Sequence, residues 1–289
     1  MSLAGKPPDT ARRPRPIILV FGEAGVGKTY GCLTWPDAYY IDTESGASLP
    51  AYTTKLTEAN GLYFGAEDGA HDLDRILQEV RTLACVEHDR KTLVIDSLTR
   101  PWLAAIQQEY DRITATGRQP RFGEERKPAI ATMRRLVTWL FRCDMNVILV
   151  AHEKPVWSEG EEVGRTYDAW DKLRYELSLV CRIVQLGDEV KALVVKSRYD
   201  DLEIGSVCDW SVSSFESTFT TIHDDSSSNV ELAGDDQLEE LSRLYREHGP
   251  CEWREKWFER AGVENWEEMP RDILQSCLKM WKERKELEQ

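Results

Sequence analysis

The sequence predicts an α/β protein with a mainly parallel central sheet, an antiparallel edge extension and a small helical domain at the carboxyl end. Three observations support this prediction. Short, wholly apolar runs alternate with longer segments in which apolar residues recur every three or four positions. Two further apolar runs, 177–186 and 190–198, are joined by a tight turn. The last part of the chain contains helical patterns only.

The apolar runs at 17–21, 38–42, 92–96 and 146–151 are the predicted central strands. A parallel strand that is covered on both faces is apolar along its whole length, as these runs are. Two of the predicted helices have clear apolar faces, formed by Leu73, Ile76, Leu77 and Val80 and by Ile130, Met133, Val137, Leu140 and Phe141. Strands that alternate with such helices form right-handed crossovers, and neighbouring strands are then parallel.

The second half of the chain is predicted to differ in architecture. The strands at 177–186 and 190–198 form an antiparallel hairpin, and 207–215 is a candidate for one more strand. Three short helices are expected near the carboxyl end. We therefore predict a flexible arm over 1–16, a core over 17–222, a linker over 223–237 and a helical domain over 238–289.

Composition and charge exclude several classes of protein. Of 289 residues, 41% are hydrophobic and 30% are charged, which is typical of a soluble globular protein. No apolar stretch approaches the length of a membrane span, and seven dispersed cysteines without a CxxC pair argue against a disulfide framework or a zinc site. We expect a cytoplasmic protein. The net charge of −14 makes a duplex-coating protein less expected, although residues 224–289 alone carry 18 acids against 10 bases.

The segment GEAGVGKT, residues 22–29, fits the phosphate-binding pattern G-x-x-x-x-G-K-[ST] between a strand and a helix. Its glycines let backbone N–H groups surround phosphate oxygens. Lys28 would reach the β- and γ-phosphates, and the Thr29 hydroxyl would ligate Mg²⁺. A glycine-rich turn without a ligand is the alternative. The predicted nucleotide-binding residues are Gly22, Glu23, Ala24, Gly25, Val26, Gly27, Lys28, Thr29 and Tyr30.

Three polar side chains follow other predicted strands at the same edge of the sheet. Asp96 ends a strand beside the loop, where a second anchor for Mg²⁺ belongs. Glu44 follows the strand 38–42 and could orient the water that attacks the γ-phosphate. His152 follows the strand 146–151 and could sense that phosphate. The alternatives are an ordinary strand-ending turn, a solvated acidic turn and a strand-capping histidine.

Together, these motifs resemble those of RecA-like P-loop ATPases, in particular the phage-encoded recombination and single-strand annealing branch. The resemblance covers residues 17–215 and implies ATP and Mg²⁺ as cofactors. It implies that Glu44, in an IDxE pattern, is catalytic and that Asp96, in a VIDS pattern, lies on the Mg²⁺ side. His152 stands where RecA usually has glutamine. Lys196 and Arg198, in VVKSR, match a pair of cations that completes the site of a neighbouring subunit, unless they are ordinary edge charges.

The resemblance also implies DNA-binding loops after the last two central strands. One candidate is 112–127, with Arg118, Arg121 and Phe122, and the other is 153–172, with Lys154, Trp157 and Arg165. Cations interleaved with aromatic residues suit single-stranded DNA, although four acids, at 159, 161, 162 and 168, weaken the second candidate. Each segment could equally be an ordinary surface loop.

The function that these features predict is an ATP-dependent, single-stranded-DNA-binding recombination or annealing protein. Hydrolysis is expected to depend on Mg²⁺ and on assembly into a ring or filament. The expected partners are single-stranded DNA, further copies of the chain and a single-strand-binding protein, with no membrane partner. The alternatives are an ATP-switched loader or packaging accessory module and, less favoured, a small-molecule or nucleotide kinase.

Overall fold

Nine strands cross the part of the chain that the computed structural model describes, residues 15–216 and 229–287. They are β1 Ile17–Gly22, β2 Ala38–Asp42, β3 Leu62–Phe64, β4 Thr92–Asp96, β5 Asn146–Ser158, β6 Glu161–Tyr167, β7 Leu179–Leu186, β8 Glu189–Ser197 and β9 Val207–Asp209. The main sheet has the order β3-β2-β4-β5-β1-β7-β8-β9, and β6 pairs with β5. The first six strands in this order, from β3 at the edge to β7, are parallel. Strands β8 and β9 are added beyond β7 in antiparallel orientation. The predicted α/β fold class is confirmed.

Ten α-helices lie in the same described residues. They are α1 Lys28–Cys32, α2 Pro50–Glu58, α3 Leu73–Cys85, α4 Thr99–Thr114, α5 Lys127–Leu140, α6 Leu173–Glu176, α7 Ser213–Glu216, α8 Asp235–His248, α9 Arg254–Ala261 and α10 Arg271–Leu287. Helix α3 begins where the Asp72 carboxylate accepts the N–H groups of Asp74 and Arg75. Helix α9 ends at Gly262, which has a positive φ of 69°.

The sheet has an apolar cluster on each face because successive side chains of its strands point to opposite sides. Ile18 and Val20 of β1 join one cluster, together with Trp35, Trp210 and the antiparallel strands. Leu19 and Phe21 join the other, together with α3 and α5.

The carboxyl-terminal helices belong to the second cluster. The Trp139 side chain of α5 is completely buried, and its indole nitrogen donates to the Gly262 carbonyl at 2.8 Å. Leu274, Cys277 and Trp281 of α10 are buried in the same cluster. Helix α5 therefore lies between the sheet and the carboxyl-terminal helices.

Two predicted features are corrected by the structure. The segment 153–172 is not simply a loop, because β5 continues to Ser158 and pairs antiparallel with β6 around Glu159 and Gly160, whose φ angles are 53° and 87°. Two consecutive positive φ values suit a tight hairpin turn. The segment 207–215 is a strand only over β9, because the chain then turns into α7. The short strand β3 was not predicted, since two of its three side chains are exposed.

Some predictions fall on residues outside the described ranges. These are most of the arm, residues 1–14, the end of the core, residues 217–222, part of the linker, residues 223–228, and the last two residues of the helical domain, 288–289. Within the described ranges, no helix combines the length and the apolar character that a membrane crossing requires.

Candidate functional site

The phosphate loop, residues 22–29, connects β1 to α1. Gly25 and Gly27 have φ angles of 78° and 98°, which side chains other than glycine rarely permit. The ammonium group of Lys28 donates to the carbonyls of Gly22 and Glu23, both at 2.8 Å, and therefore lies across the loop. Burial lowers the pKa of Lys28. The loop thus holds a cation over a backbone that could surround an anion.

The antiparallel extension supports this loop from outside. The Trp210 indole nitrogen donates to the Lys28 carbonyl at 3.2 Å, and Trp210 is 7% exposed. Its ring lies so close to Gly31 that a Cβ atom there would be 2.0 Å from the indole nitrogen. Sequence reasoning missed Trp210, because nothing near it along the chain links it to Lys28, which lies 182 residues earlier.

Asp96, at the end of β4, contacts both the loop and β2. Its Oδ2 accepts hydrogen bonds from the hydroxyls of Thr29 and Tyr40, both at 2.6 Å. Burial raises the pKa of Asp96. A threonine hydroxyl beside a carboxylate is the kind of oxygen pair that Mg²⁺ accepts. The residues present therefore fit a nucleoside triphosphate with Mg²⁺: glycines that permit close approach, a lysine, and two oxygen ligands.

The turn after β2 positions Glu44. The Asp42 carboxylate accepts the N–H groups of Glu44, Gly46 and Ala47 at 3.0, 3.3 and 2.8 Å, which folds the turn around it. The Thr43 N–H donates to the Asp96 carbonyl at 2.8 Å and joins the ends of β2 and β4. Glu44 is thereby held at the carboxyl edge of the sheet.

Glu44, Ser97 and His152 form one hydrogen-bonded group. Glu44 Oε1 accepts from Ser97 Oγ at 2.5 Å and lies 2.7 Å from His152 Nε2. The hydrogen bond from His152 lowers the pKa of Glu44, and the same contact raises the pKa of His152. The structure therefore brings together Glu44, which follows β2, and His152 of β5, and it adds Ser97, which follows the intervening strand β4.

Lys196 and Arg198 make their contacts elsewhere, at the end of α6. The Lys196 ammonium donates to the carbonyls of Arg174 and Leu177, the latter at 2.6 Å. The Arg198 guanidinium donates to the Tyr175 carbonyl at 2.9 Å. Cations at the carboxyl end of a helix satisfy carbonyls that lack helical partners. Both side chains are therefore engaged within their own chain.

The first DNA-binding candidate segment presents an aromatic side chain at its tip. The Phe122 side chain is fully exposed, and its φ of 54° is unusual for a residue other than glycine. Arg121 precedes Phe122, whereas Arg118 forms an ion pair with Glu124. The tip of this segment therefore presents the exposed ring of Phe122 next to Arg121.

The second candidate segment, 153–172, contains the β5–β6 hairpin. Trp157 is 63% exposed near its tip. Lys154 pairs with Asp168 and Asp171, each at 3.3 Å, and Arg165 pairs with Glu162 at 2.6 Å. Its predicted cations are thus already neutralised by neighbouring acids.

A further ion pair at the base of this hairpin was not predicted. Arg182 of β7 makes a bidentate contact with Glu153, at 2.7 and 2.9 Å, and the Glu153 side chain is 2% exposed. The two residues lie 29 positions apart, so only the strand order brings them together.

The comparisons with known proteins give one family and many similar structures, among them the following two. No curated protein matches the sequence. The RadB recombinase structure has a TM-score of 0.45 and 19% identity, and the match covers 68% of this chain and 86% of that chain. A KaiC-like protein from the hyperthermophilic archaeon Pyrococcus horikoshii OT3 has a TM-score of 0.39 and 17% identity, over 64% of this chain and 80% of that chain. The model of the AAA_24 family, described as an AAA domain, matches residues 15–199, and the chain therefore belongs to this AAA domain family.

Proposed function

We propose that this AAA-domain protein is a RecA-like ATPase that hydrolyses ATP with Mg²⁺ and couples hydrolysis to single-stranded DNA in recombination or annealing. The observation that carries the proposal is the position of Glu44. Its carboxylate is fixed by Ser97 and His152 at the sheet edge where the Thr29 hydroxyl meets Asp96. A phosphate loop alone would serve binding, whereas a fixed carboxylate at this edge suits hydrolysis.

The residues of the loop would bind and orient the nucleotide. Bound ATP would supply the phosphoanhydride bond that is hydrolysed, and Mg²⁺ would offset the charge of its phosphates. Lys28 would exchange its two carbonyl acceptors for phosphate oxygens. Thr29 and Asp96 would hold the metal ion, directly or through water.

Glu44 would orient the attacking water. Its Oε1 is occupied by two donors, and the second carboxylate oxygen remains available to accept a proton from water. The lowered pKa keeps the carboxylate ionised at neutral pH, which this role requires. His152 would report the state of the γ-phosphate through the same hydrogen bond.

Assembly and DNA binding complete the proposal. Lys196 and Arg198 would leave the α6 carbonyls and reach the nucleotide of a neighbouring subunit in a ring or filament. Phe122 and Trp157, both exposed, would stack on bases, and Arg121 would contact the phosphates. A single-strand-binding protein would be a further partner.

The test is ATP hydrolysis with and without a long single-stranded oligonucleotide, at low and moderate salt. We expect stimulation by the strand that weakens with salt. Lys28→Ala should abolish turnover, and Glu44→Gln should lower kcat by about 100-fold or more while ATP still binds. Lys279→Ala, which removes an exposed lysine of α10, is the matched control.

A second set of variants tests the DNA contact. Phe122→Ala should weaken strand binding, whereas Phe141→Ala, at another exposed phenylalanine, should not. Equal turnover in wild type and Glu44→Gln would favour an ATP-switched loader or packaging module. Transfer of phosphate to an acceptor without any DNA effect would favour a kinase.

A further inference from the structure

A single hydroxyl group forms hydrogen bonds with both strands at the base of the hairpin that carries Trp157. The Thr99 Oγ1 accepts the backbone N–H of His152 at 2.8 Å and donates to the carbonyl of Asp168 at 2.7 Å. The Asp168 N–H donates to the His152 carbonyl at 2.8 Å and closes a ring of three hydrogen bonds. Both strands of the hairpin are therefore fastened at their base to the first residue of α4.

The chemistry of this position requires a hydroxyl. Strand β4 ends at Asp96, which lies opposite Val150, so β4 offers no acceptor to the His152 N–H. The hydrogen bonds to this N–H and to the Asp168 carbonyl are partly buried, and backbone groups withdrawn from water need an acceptor or a donor in the protein. A threonine hydroxyl supplies both at once, with its proton directed to Asp168. Thr99 is 2% exposed, and water therefore does not replace it.

The ring joins three parts of the molecule. His152 contacts Glu44 of the nucleotide site through its side chain and Thr99 through its backbone. Asp168 extends the connection into the hairpin, because its carboxylate lies 3.3 Å from the Lys154 ammonium on the opposite strand. Helix α4, which begins at Thr99, leads along the chain to the segment that contains Phe122.

We propose that Thr99 is a positioning residue that couples the nucleotide site to the β5–β6 hairpin. This inference rests on the proposed nucleotide function. When the side chain of His152 changes its contact with Glu44, its backbone shifts, and the Thr99 hydroxyl transmits the shift to Asp168. The hydroxyl of Thr99 forms its hydrogen bonds with the backbone of His152 and Asp168.

Hydrogen exchange of the full chain tests this coupling without DNA. Exchange is measured with and without a non-hydrolysable ATP analogue and Mg²⁺, in wild type, Thr99→Val, Thr99→Ser and Thr132→Val. Valine keeps the shape of threonine and removes the hydroxyl, whereas serine keeps the hydroxyl. Thr132 is a matched control, because its hydroxyl is also largely buried and bonds to Asp74, away from the hairpin.

In wild type we expect the analogue to slow exchange at residues 22–32 and to change exchange across residues 153–167 by about fivefold or more, the lower end of common coupling factors. In Thr99→Val the protection at 22–32 should remain and the change in the hairpin should disappear. Thr99→Ser and Thr132→Val should behave as wild type.

Each other outcome overturns a stated idea. A hairpin response that persists in Thr99→Val, or that is absent from wild type although residues 22–32 are protected, would overturn the coupling role of Thr99. Loss of the response in Thr99→Ser as well would show that packing, not the hydroxyl, matters. Absence of protection at 22–32 in wild type would overturn the nucleotide function itself, and the coupling role with it.

Discussion

Replacing Gly31 with alanine tests the support that the antiparallel extension gives to the phosphate loop. In the interior of a helix, alanine is favoured over glycine by about 1 kcal/mol, so helix propensity alone predicts stabilisation. The structure predicts the opposite sign. The added Cβ would lie 2.0 Å from Nε1 and 2.3 Å from Cδ1 of Trp210.

Trp210 cannot simply move aside. Its ring centroid is 6.4 Å from that of Trp35 and 5.8 Å from that of Phe215, and all three side chains are buried. Overpacking of this kind costs about 1–3 kcal/mol. Loss of the hydrogen bond to Lys28 adds about 1 kcal/mol. After the gain in helix propensity, the net destabilisation is about 1–3 kcal/mol.

The assay is urea unfolding of Gly31→Ala, which should show the loss of stability. The affinity for an ATP analogue is measured as well, and it should fall because the Lys28 carbonyl loses its hydrogen-bond donor. Gly164→Ala is the control. Nothing lies within 4 Å of the Cβ added there, and the free energy of unfolding should change by no more than about 0.5 kcal/mol.

A double-mutant cycle decides whether the cause is steric. Trp210→Val removes every ring atom, and Gly31→Ala in that background should no longer destabilise the protein. The same loss of stability in both backgrounds, or stabilisation by the single substitution, would refute the reasoning.

Three further predictions concern two charged pairs. The pKa of His152 should lie above 6.5 by NMR titration and should fall in Glu44→Gln, because the carboxylate favours the imidazolium; an unchanged pKa would contradict the contact. The stability that this pair contributes should be greatest between pH 4.5 and 6.5. It is lost as pH rises through the raised pKa of His152, and it is lost as pH falls through the lowered pKa of Glu44. Urea unfolding of wild type and Glu44→Gln at pH values within and outside this range checks the prediction. Arg182→Met should destabilise the protein by about 2 kcal/mol in urea unfolding, because it leaves the buried Glu153 carboxylate with only the longer contact to Arg165, at 3.8 Å. Addition of Glu153→Gln should restore part of that loss, and an unchanged double variant would argue against a charge effect.

The residues that follow buried strands could be predicted because the apolar run that marks such a strand also locates the polar residue at its end. A parallel strand covered on both faces is an apolar run, and the polar residue that ends it lies at the edge where ligands bind. Asp96, Glu44 and His152 were found in this way, and the phosphate loop was found by its motif. The roles of these residues in hydrolysis stay predictions.

The remaining features depend on contacts that no local pattern records. Strand β6 is rich in charged and small residues, and only its last residue, Tyr167, is buried in the apolar core, so it has no apolar run. Tyr40 occupies an ordinary buried strand position, and its contact with Asp96 arises only from the pairing of β2 with β4. Trp210 and Arg182 were missed for the same reason.

The position of α5 has a consequence for the order in which the chain can fold during its synthesis. Trp139 is synthesised well before Gly262, whose carbonyl accepts its hydrogen bond, and before Trp281, which is buried in the same cluster. Until α9 and α10 have emerged, the outer side of α5 is an apolar surface facing water. The apolar cluster on this face of the sheet can therefore be completed only after α9 and α10 have been synthesised and have packed against α5.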